Sequence, residues 1–420
     1  MGEACGLAIR QLIDDLPDTS MRILYASERP PYPFFLGGAA RCAHRLLFSL
    51  AQDPGVECAA LGSADYAVSP WMYPQPAEYA ALGVRGVSLS SPTPGMHEEH
   101  GHGTVDCGYP VHVMPDYFNA LGSFINTFKP DVVWAQMEGA REVLVLAHSK
   151  GVQGLLYVHD AEFDPVELRA TADLGCHVVC SSGFLARLVR KVIGRPAHVV
   201  YPASDWYFGA QGDPRGCVTM INPHKVKGID TFLEIARRLP EEKFLLVESW
   251  KLGDVALAAL QAQQAQLPNV RFQHRVSDMR EVYAQTRLLL VPSVWEEGFG
   301  MVVVEAQSCG IPVIASARGG LPESVGDGGM LIRDHRNVDA WMEAISQLLG
   351  DEAAYRTWAG RALRHAQSAD FVPQELARRF LAVCTAPAPR TGAYARGMRM
   401  VRNQLERVPL LGRMLQKTGR

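Results

Sequence analysis

From Met21 onward, short apolar runs alternate with amphipathic stretches of helical length, and this alternation restricts the chain more than any other feature. Apolar runs of strand length, bounded by turn residues, read as strands buried on both faces. Helix-length spacers between them supply the crossovers that parallel strands require. The pattern therefore predicts the α/β class. In the first half, strands are predicted at "RILYAS", "DVVWAQ", "GLLYVHD", "CHVVCSS" and "HVVYP", with helices such as "AARCAHRLLFSLAQ" and "GFLARLVRKVI" between them. The stretch Ala203–Gly216, rich in Gly, Pro and Asp, breaks the alternation and reads as a linker. A second run of strands follows at "CVTMIN", "KFLLVES", "VRFQH", "LLLVPS" and "PVIAS". The expected division is an extension over 1–20, with Met21 an alternative start, doubly wound units over 21–205 and 206–370, a closing helix over 371–388 and a tail over 389–420. Ligands of such sheets sit beyond the carboxyl ends of the strands, so two sheets facing one another define an interdomain cleft.

A chain of 420 residues exceeds the size at which one core stops growing, which agrees with two units. A net charge of -3 argues against a dedicated nucleic-acid binder, which needs a broad basic face. The nine cysteines include no CxxC pair, and "CHVVC" reads as a buried strand rather than a metal site. An odd cysteine count and the lack of a basic-then-apolar leader lead us to expect the reducing cytoplasm. No apolar run reaches the roughly 18 to 20 residues of a membrane span.

Polar residues at predicted strand ends are the candidates for chemistry. Glu297 and Glu305 stand in the otherwise apolar "SVWEEGFGMVVVEAQSCGIPVIAS", where a buried carboxylate costs several kcal/mol unless it is paired. A turn after "LLLVPS" carries Glu297, and a helix is predicted from near Phe299 to just before Gly310. Gly298 and Gly300 let a ligand approach the backbone, and the free N–H groups of the helix start favour an anion such as a phosphate. The plain alternative is a solvent-exposed Glu297 and a surface ion pair for Glu305. In "FFLGGAARCAHRLL", Gly37 and Gly38 form a second glycine turn opening a helix, which could cradle phosphates or be a tight turn only. Lys227 precedes Gly228 and a new helix, where the macrodipole disfavours a cation, and that conflict favours a diphosphate partner. His159 and Asp160 follow an apolar strand; the histidine could hydrogen-bond a sugar or phosphate oxygen, relay a proton, or be structural. The loop "MHEEHGHGTVDCG" lacks a helix to fix a metal geometry, so no metal is expected there.

Together these motifs resemble the retaining glycosyltransferases of family 4, the glycosyl transferases group 1. The signature is two glutamates separated by seven residues, matched by Glu297 and Glu305 with Pro292-Ser293 before them, Gly298-Phe299-Gly300 between them, and Gly310, Pro312, Gly319-Gly320 and Glu323 after them. The match at Gly37-Gly38 and His159-Asp160 is looser. The resemblance implies a GT-B fold, two Rossmann-like domains with a nucleotide-sugar donor held mostly by the second. It implies ribose binding by Glu305, donor-sugar contact by Glu297, diphosphate neutralisation by Lys227, and His159 beside the sugar. Backbone around Phe299, Gly300, Met301, Gly37 and Gly38 would meet phosphate or sugar oxygens, and His274, Arg275 and Val276 would lie near the base. The family usually has an arginine at the position of Asn222; asparagine carries no charge, so His224 or Lys225 would have to substitute. No metal or other cofactor is implied.

Three other readings stand beside transfer of a sugar from a nucleoside-diphosphate sugar to an unidentified acceptor hydroxyl. A glycosidase also uses two carboxylates but needs neither Lys227 nor glycine-flanked helix starts. A dinucleotide-dependent dehydrogenase lacks its GxGxxG here, the first turn being "LGGAAR". A non-catalytic sugar-nucleotide-binding protein would bind donor without turnover. In the tail, basic residues from Arg390 to Arg420 face a single acid, Glu406, and apolar residues recur at three- or four-residue steps. Such a segment suits peripheral contact with an anionic membrane at the inner face, or a solvated or domain-packed helix.

Overall fold

The structure, a computed structural model, describes residues 20–66, 87–89, 103–204, 210–276 and 278–390. The extension over 1–19, the histidine-rich loop before residue 103, part of the expected linker and the tail beyond 390 lie outside the described residues. The first sheet contains β1 (Met21–Ser27), β2 (Val56–Ser63), β3 (Val87–Leu89), β4 (Gly103–Asp106), β5 (Pro110–Met114), β6 (Val132–Gln136), β7 (Gln153–Val158), β8 (His177–Cys180) and β9 (His198–Val199). Their spatial order is β3-β4-β5-β2-β1-β6-β7-β8-β9, parallel from β5 onward, with β4 antiparallel to both β3 and β5. The second sheet contains β10 (Cys217–Ile221), β11 (Phe244–Val247), β12 (Val270–Gln273), β13 (Thr286–Val291), β14 (Val313–Ser316) and β15 (Gly329–Ile332). Its order β12-β11-β10-β13-β14-β15, parallel throughout, is that of a doubly wound nucleotide-binding sheet. The expected α/β class with two facing doubly wound sheets is what the chain forms, the first sheet carrying an antiparallel edge.

Apolar clusters cover both faces of each sheet, which is why the strands read as continuous apolar runs. The helix Pro373–Cys384 returns to the first sheet, where the Phe380 ring lies 4.8 Å from that of Trp134. A smaller cluster of Phe299, Val304, Ala366 and Phe371, with Tyr201 against it, joins the two halves. The described cysteines are unpaired and buried, and burial pushes thiols such as Cys42 and Cys176 up to about 12. No described helix is long and apolar enough to cross a membrane.

Candidate functional site

Strand order places the site. In the second sheet β10 lies between β11 and β13, so the connections leaving β10 and β13 run to opposite sides and open a crevice between the two strand ends. Past β10, a single 3-10 turn (Lys225–Lys227) leads through Gly228 into the helix Ile229–Arg238. A Cβ at Gly228 would lie 1.9 Å from the carbonyl oxygen of Pro292, so only glycine lets this turn press against the end of β13. The turn thereby delivers Lys227 to Glu297: Nζ donates to Oε1 at 2.7 Å and Oε2 at 2.9 Å, and Ser293 Oγ donates to Oε1 at 2.5 Å. Glu297 is 7% exposed, and this pairing is what its burial requires. The residues expected to meet sugar and diphosphate thus hold each other.

Glu305 stands on the helix Met301–Ser308, which starts after Gly300 at a left-handed φ of 91°. It is buried, and its Oε2 accepts the Tyr283 hydroxyl at 2.8 Å. The glycine turn before it is packed backbone to backbone: a Cβ at Gly320 would lie 2.4 Å from the Gly298 carbonyl oxygen, and the Gly320 amide donates to the Glu297 carbonyl at 2.7 Å. Phe299 commits its buried ring to Tyr201, centroids 5.0 Å apart, so its backbone is what the turn offers a ligand.

The first sheet supplies the opposite wall. Gly38 begins the helix Gly38–Leu50, and a Cβ there would lie 3.8 Å from Met301 Sδ, so the two helix starts face each other. His159 follows β7, its ring stacked on Tyr157 at 4.2 Å. Gln136 donates through Nε2 to the Ala39 carbonyl and the Tyr25 hydroxyl, which leaves Oε1 to accept from His159 Nε2 at 2.8 Å. His159 therefore carries its proton on Nε2, and burial pushes its pKa down to about 4. The halves touch here: a Cβ at Gly298 would lie 1.8 Å from the His159 carbonyl oxygen.

Between the walls lies a cavity of about 500 Å³ whose lining includes Gly37, Gly38, His159, Asn222, Lys227 and Glu297. Arg275, Val276, Gly298, Phe299, Gly300, Met301 and Glu305 also face it. Lys225 and His274 are not brought to it. Lys225 is exposed, and His274 is bound through Nδ1 to Glu248 Oε2 at 2.8 Å with its side chain 68% exposed. His224 is turned toward Trp250, its Nε2 3.4 Å from that carbonyl, so neither neighbour takes the place of a cation at 222. Asn222 instead braces the backbone. It sits at a left-handed φ of 62°, and its Oδ1 accepts the amides of Ser249 and Trp250 at 3.1 and 2.6 Å. Sequence reasoning missed Gln136, Arg29 and Trp250, all of which line the cavity. Arg29 is paired with Glu138 at 2.6 Å and lies over the Phe35 ring.

Residues 216–351 match the family model described as Glycosyl transferases group 1. D-inositol 3-phosphate glycosyltransferase of Mycobacteroides abscessus is 33% identical over 153 residues, 34% of this chain and 33% of that protein. The protein of the same name from Nocardia farcinica is 44% identical over 88 residues, 20% of this chain and 19% of that protein. The chain thus spans at most about a third of the length of these curated relatives. Among solved structures, Anabaena HepE in complex with UDP and glucose superimposes with a TM-score of 0.65 at 18% identity, covering 87% of this chain and 100% of that one. Sucrose-phosphate synthase of Thermosynechococcus elongatus gives 0.63 at 18% identity, covering 86% and 98%. The chain has the GT-B fold.

Proposed function

We propose that the protein is a retaining glycosyltransferase of family 4 that moves a sugar from a nucleoside-diphosphate sugar to an acceptor hydroxyl. The observation that carries the reading is the meeting of Lys227 with Glu297 between two facing helix starts, with Glu305 on the helix that follows. Departure of a nucleoside diphosphate builds negative charge on its phosphate while the anomeric carbon becomes cation-like. A preorganised ammonium and free helix-start amides answer that charge, each worth about 3 to 4 kcal/mol by analogy with oxyanion donors. A diphosphate entering beside Lys227 competes with Glu297 for the ammonium and turns the carboxylate toward the sugar. Glu305 would hold the ribose, the second half the donor, and the first half the acceptor. Neutral His159, fixed by Gln136, would serve as a hydrogen-bonding group to the sugar rather than a cation.

The names of the relatives and the ligands of the structural neighbours support a nucleotide-sugar donor, since HepE is described with UDP and glucose. Retention rests on the resemblance of the two-glutamate motif. In this reading protein groups supply the positive charge, so turnover persists in a chelator. Calorimetric titration of the full chain with UDP, GDP and ADP, followed by NMR of the product's anomeric carbon, tests the reading. No binding of any nucleoside diphosphate overturns it, and inversion at the anomeric centre overturns retention. Peripheral membrane contact through residues 390–420 belongs to the same reading, carried by their basic amphipathic pattern. Equal recovery of the full chain and of a chain ending at Ala388 after sedimentation with anionic vesicles would exclude it.

A further inference from the structure

Lys227 has more than Glu297 around it. Its Nζ lies 4.7 Å from the centre of the Trp250 ring and 4.4 Å from that of Trp295, so two indole faces flank the ammonium. The indoles meet at 6.0 Å and 70°, edge to face. Trp295 Nε1 finds no acceptor among the described residues, and the ring packs against Trp250 and Lys227. Trp250 comes from beyond β11 and is 40% exposed at the cavity wall, a position that apolar burial alone does not explain. Asn222 brings it there. The left-handed backbone at 222, which asparagine tolerates better than most residues, aims Oδ1 at the amides of Ser249 and Trp250.

We propose that Trp250, positioned by Asn222, is a donor-site residue that keeps the Lys227 ammonium in the cleft while a diphosphate replaces Glu297 as its partner. The inference rests on the cleft being a nucleotide-sugar site. An ammonium on a flexible four-carbon stem, held by a carboxylate alone, would follow that carboxylate when it turns away. Attraction to an indole face has no hydrogen-bond direction, so Nζ can change acceptors without leaving its place. The uncharged residue at 222 then contributes by holding the aromatic wall of the cation site.

The test is calorimetric titration of the full chain with whichever of UDP, GDP and ADP binds wild type most tightly, and with its monophosphate. Trp250→Leu should weaken diphosphate binding about tenfold or more and monophosphate binding less than about threefold, while Trp250→Phe, which keeps an aromatic face, stays near wild type. Asn222→Gly, which retains the left-handed backbone but loses Oδ1, should behave like Trp250→Leu, and the double variant should be no worse than either. Melting temperatures confirm that each variant is folded. Equal losses for both nucleotides, no loss, or additive losses in the double variant overturn the inference while the reading of the cleft stands. Failure of wild type to bind any of the nucleotides overturns both.

Discussion

The carboxylate of Glu323, in the second half of the molecule, accepts the amides of Gly183 at 2.6 Å and Phe184 at 2.7 Å, closing the N-terminus of the helix Gly183–Ile193 in the first half. Ser182 Oγ caps the same helix from within, and the Tyr201 hydroxyl donates to Glu323 at 3.3 Å. An anion at a helix start is stabilised by free N–H groups and by the macrodipole. This contact therefore fastens the two halves across the cleft. Glu323→Ala should leave nucleotide affinity within about threefold and lower kcat about tenfold or more, since hydrogen bonds to a charged group contribute about 1.5 to 3 kcal/mol. Calorimetry with a nucleoside diphosphate and steady-state assay check the split; equal losses in both would show that Glu323 does not act through closure.

Gly298 makes another contact between the halves. Because a Cβ there would meet the His159 carbonyl oxygen at 1.8 Å, Gly298→Ala cannot keep the observed approach. The expected outcome is a larger radius of gyration by X-ray scattering, with donor hydrolysis rising relative to transfer as water enters the cleft. An unchanged scattering profile with unchanged partition would refute it.

Lys227 and Lys225 stand two positions apart with opposite fates, one in the cleft and one exposed. Lys227→Ala should cost turnover roughly 2 to 4 kcal/mol in transition-state terms. It should also lower the melting temperature, because the buried Glu297 carboxylate loses its cation. Lys225→Ala should change stability by less than about 0.5 kcal/mol and leave turnover near wild type. The reverse order in an activity assay would mean that the wrong lysine has been placed at the diphosphate.

Glu305 is expected to hold ribose hydroxyls, and Tyr283 already orients its carboxylate. Glu305→Ala should weaken nucleoside-diphosphate binding by about 2 kcal/mol or more, the scale of a lost hydrogen bond to a charged group. A 2′,3′-dideoxynucleotide should lose no further affinity on the variant. Additive losses from the ligand change and the substitution would place Glu305 elsewhere.

Much of this was legible because burial makes errors of pattern visible. A glutamate inside "MVVVEA" and a lysine at a helix start each contradict a local rule, and both contradictions are resolved by partners, Tyr283 for Glu305 and Glu297 for Lys227. Strand β2 escaped notice because Glu57 interrupts its apolar run, and its carboxylate is met by Arg22 of β1 at 2.9 Å, a pairing visible only once the register is known. Strands β4 and β5 carry Thr104, Asp106 and His112 among their apolar residues, and β15 opens on Gly329, so none of the three reads as a continuous apolar run. Trp250 was silent for another reason: its position depends on an asparagine 28 residues earlier, just past the end of a neighbouring strand. The same holds for Gln136, whose partners Ala39 and His159 come from other connections of the sheet.

Two histidines of the first half, His159 and His112, give a pH signature whose sign follows from desolvation. Desolvation pushes His159 and His112 down to about 4, and His112 is bound through Nδ1 to Thr104 Oγ1 at 2.8 Å. In the unfolded chain a histidine titrates near about 6.5. Between these values the unfolded state binds more protons than the folded one, so the stability tied to these groups is complete above about pH 6.5 and declines as pH falls toward 4. Each contributes on the order of 3 kcal/mol of that decline. Denaturant melts between about pH 7 and pH 4.5 should show it, and His159→Gln should make the slope shallower. Catalysis supplies an independent check, because a histidine that stays neutral through this range contributes no ionisation near pH 6.5 to kcat. An inflection there that vanishes in His159→Gln would mean that the ring titrates in the working enzyme and that burial does not hold it neutral.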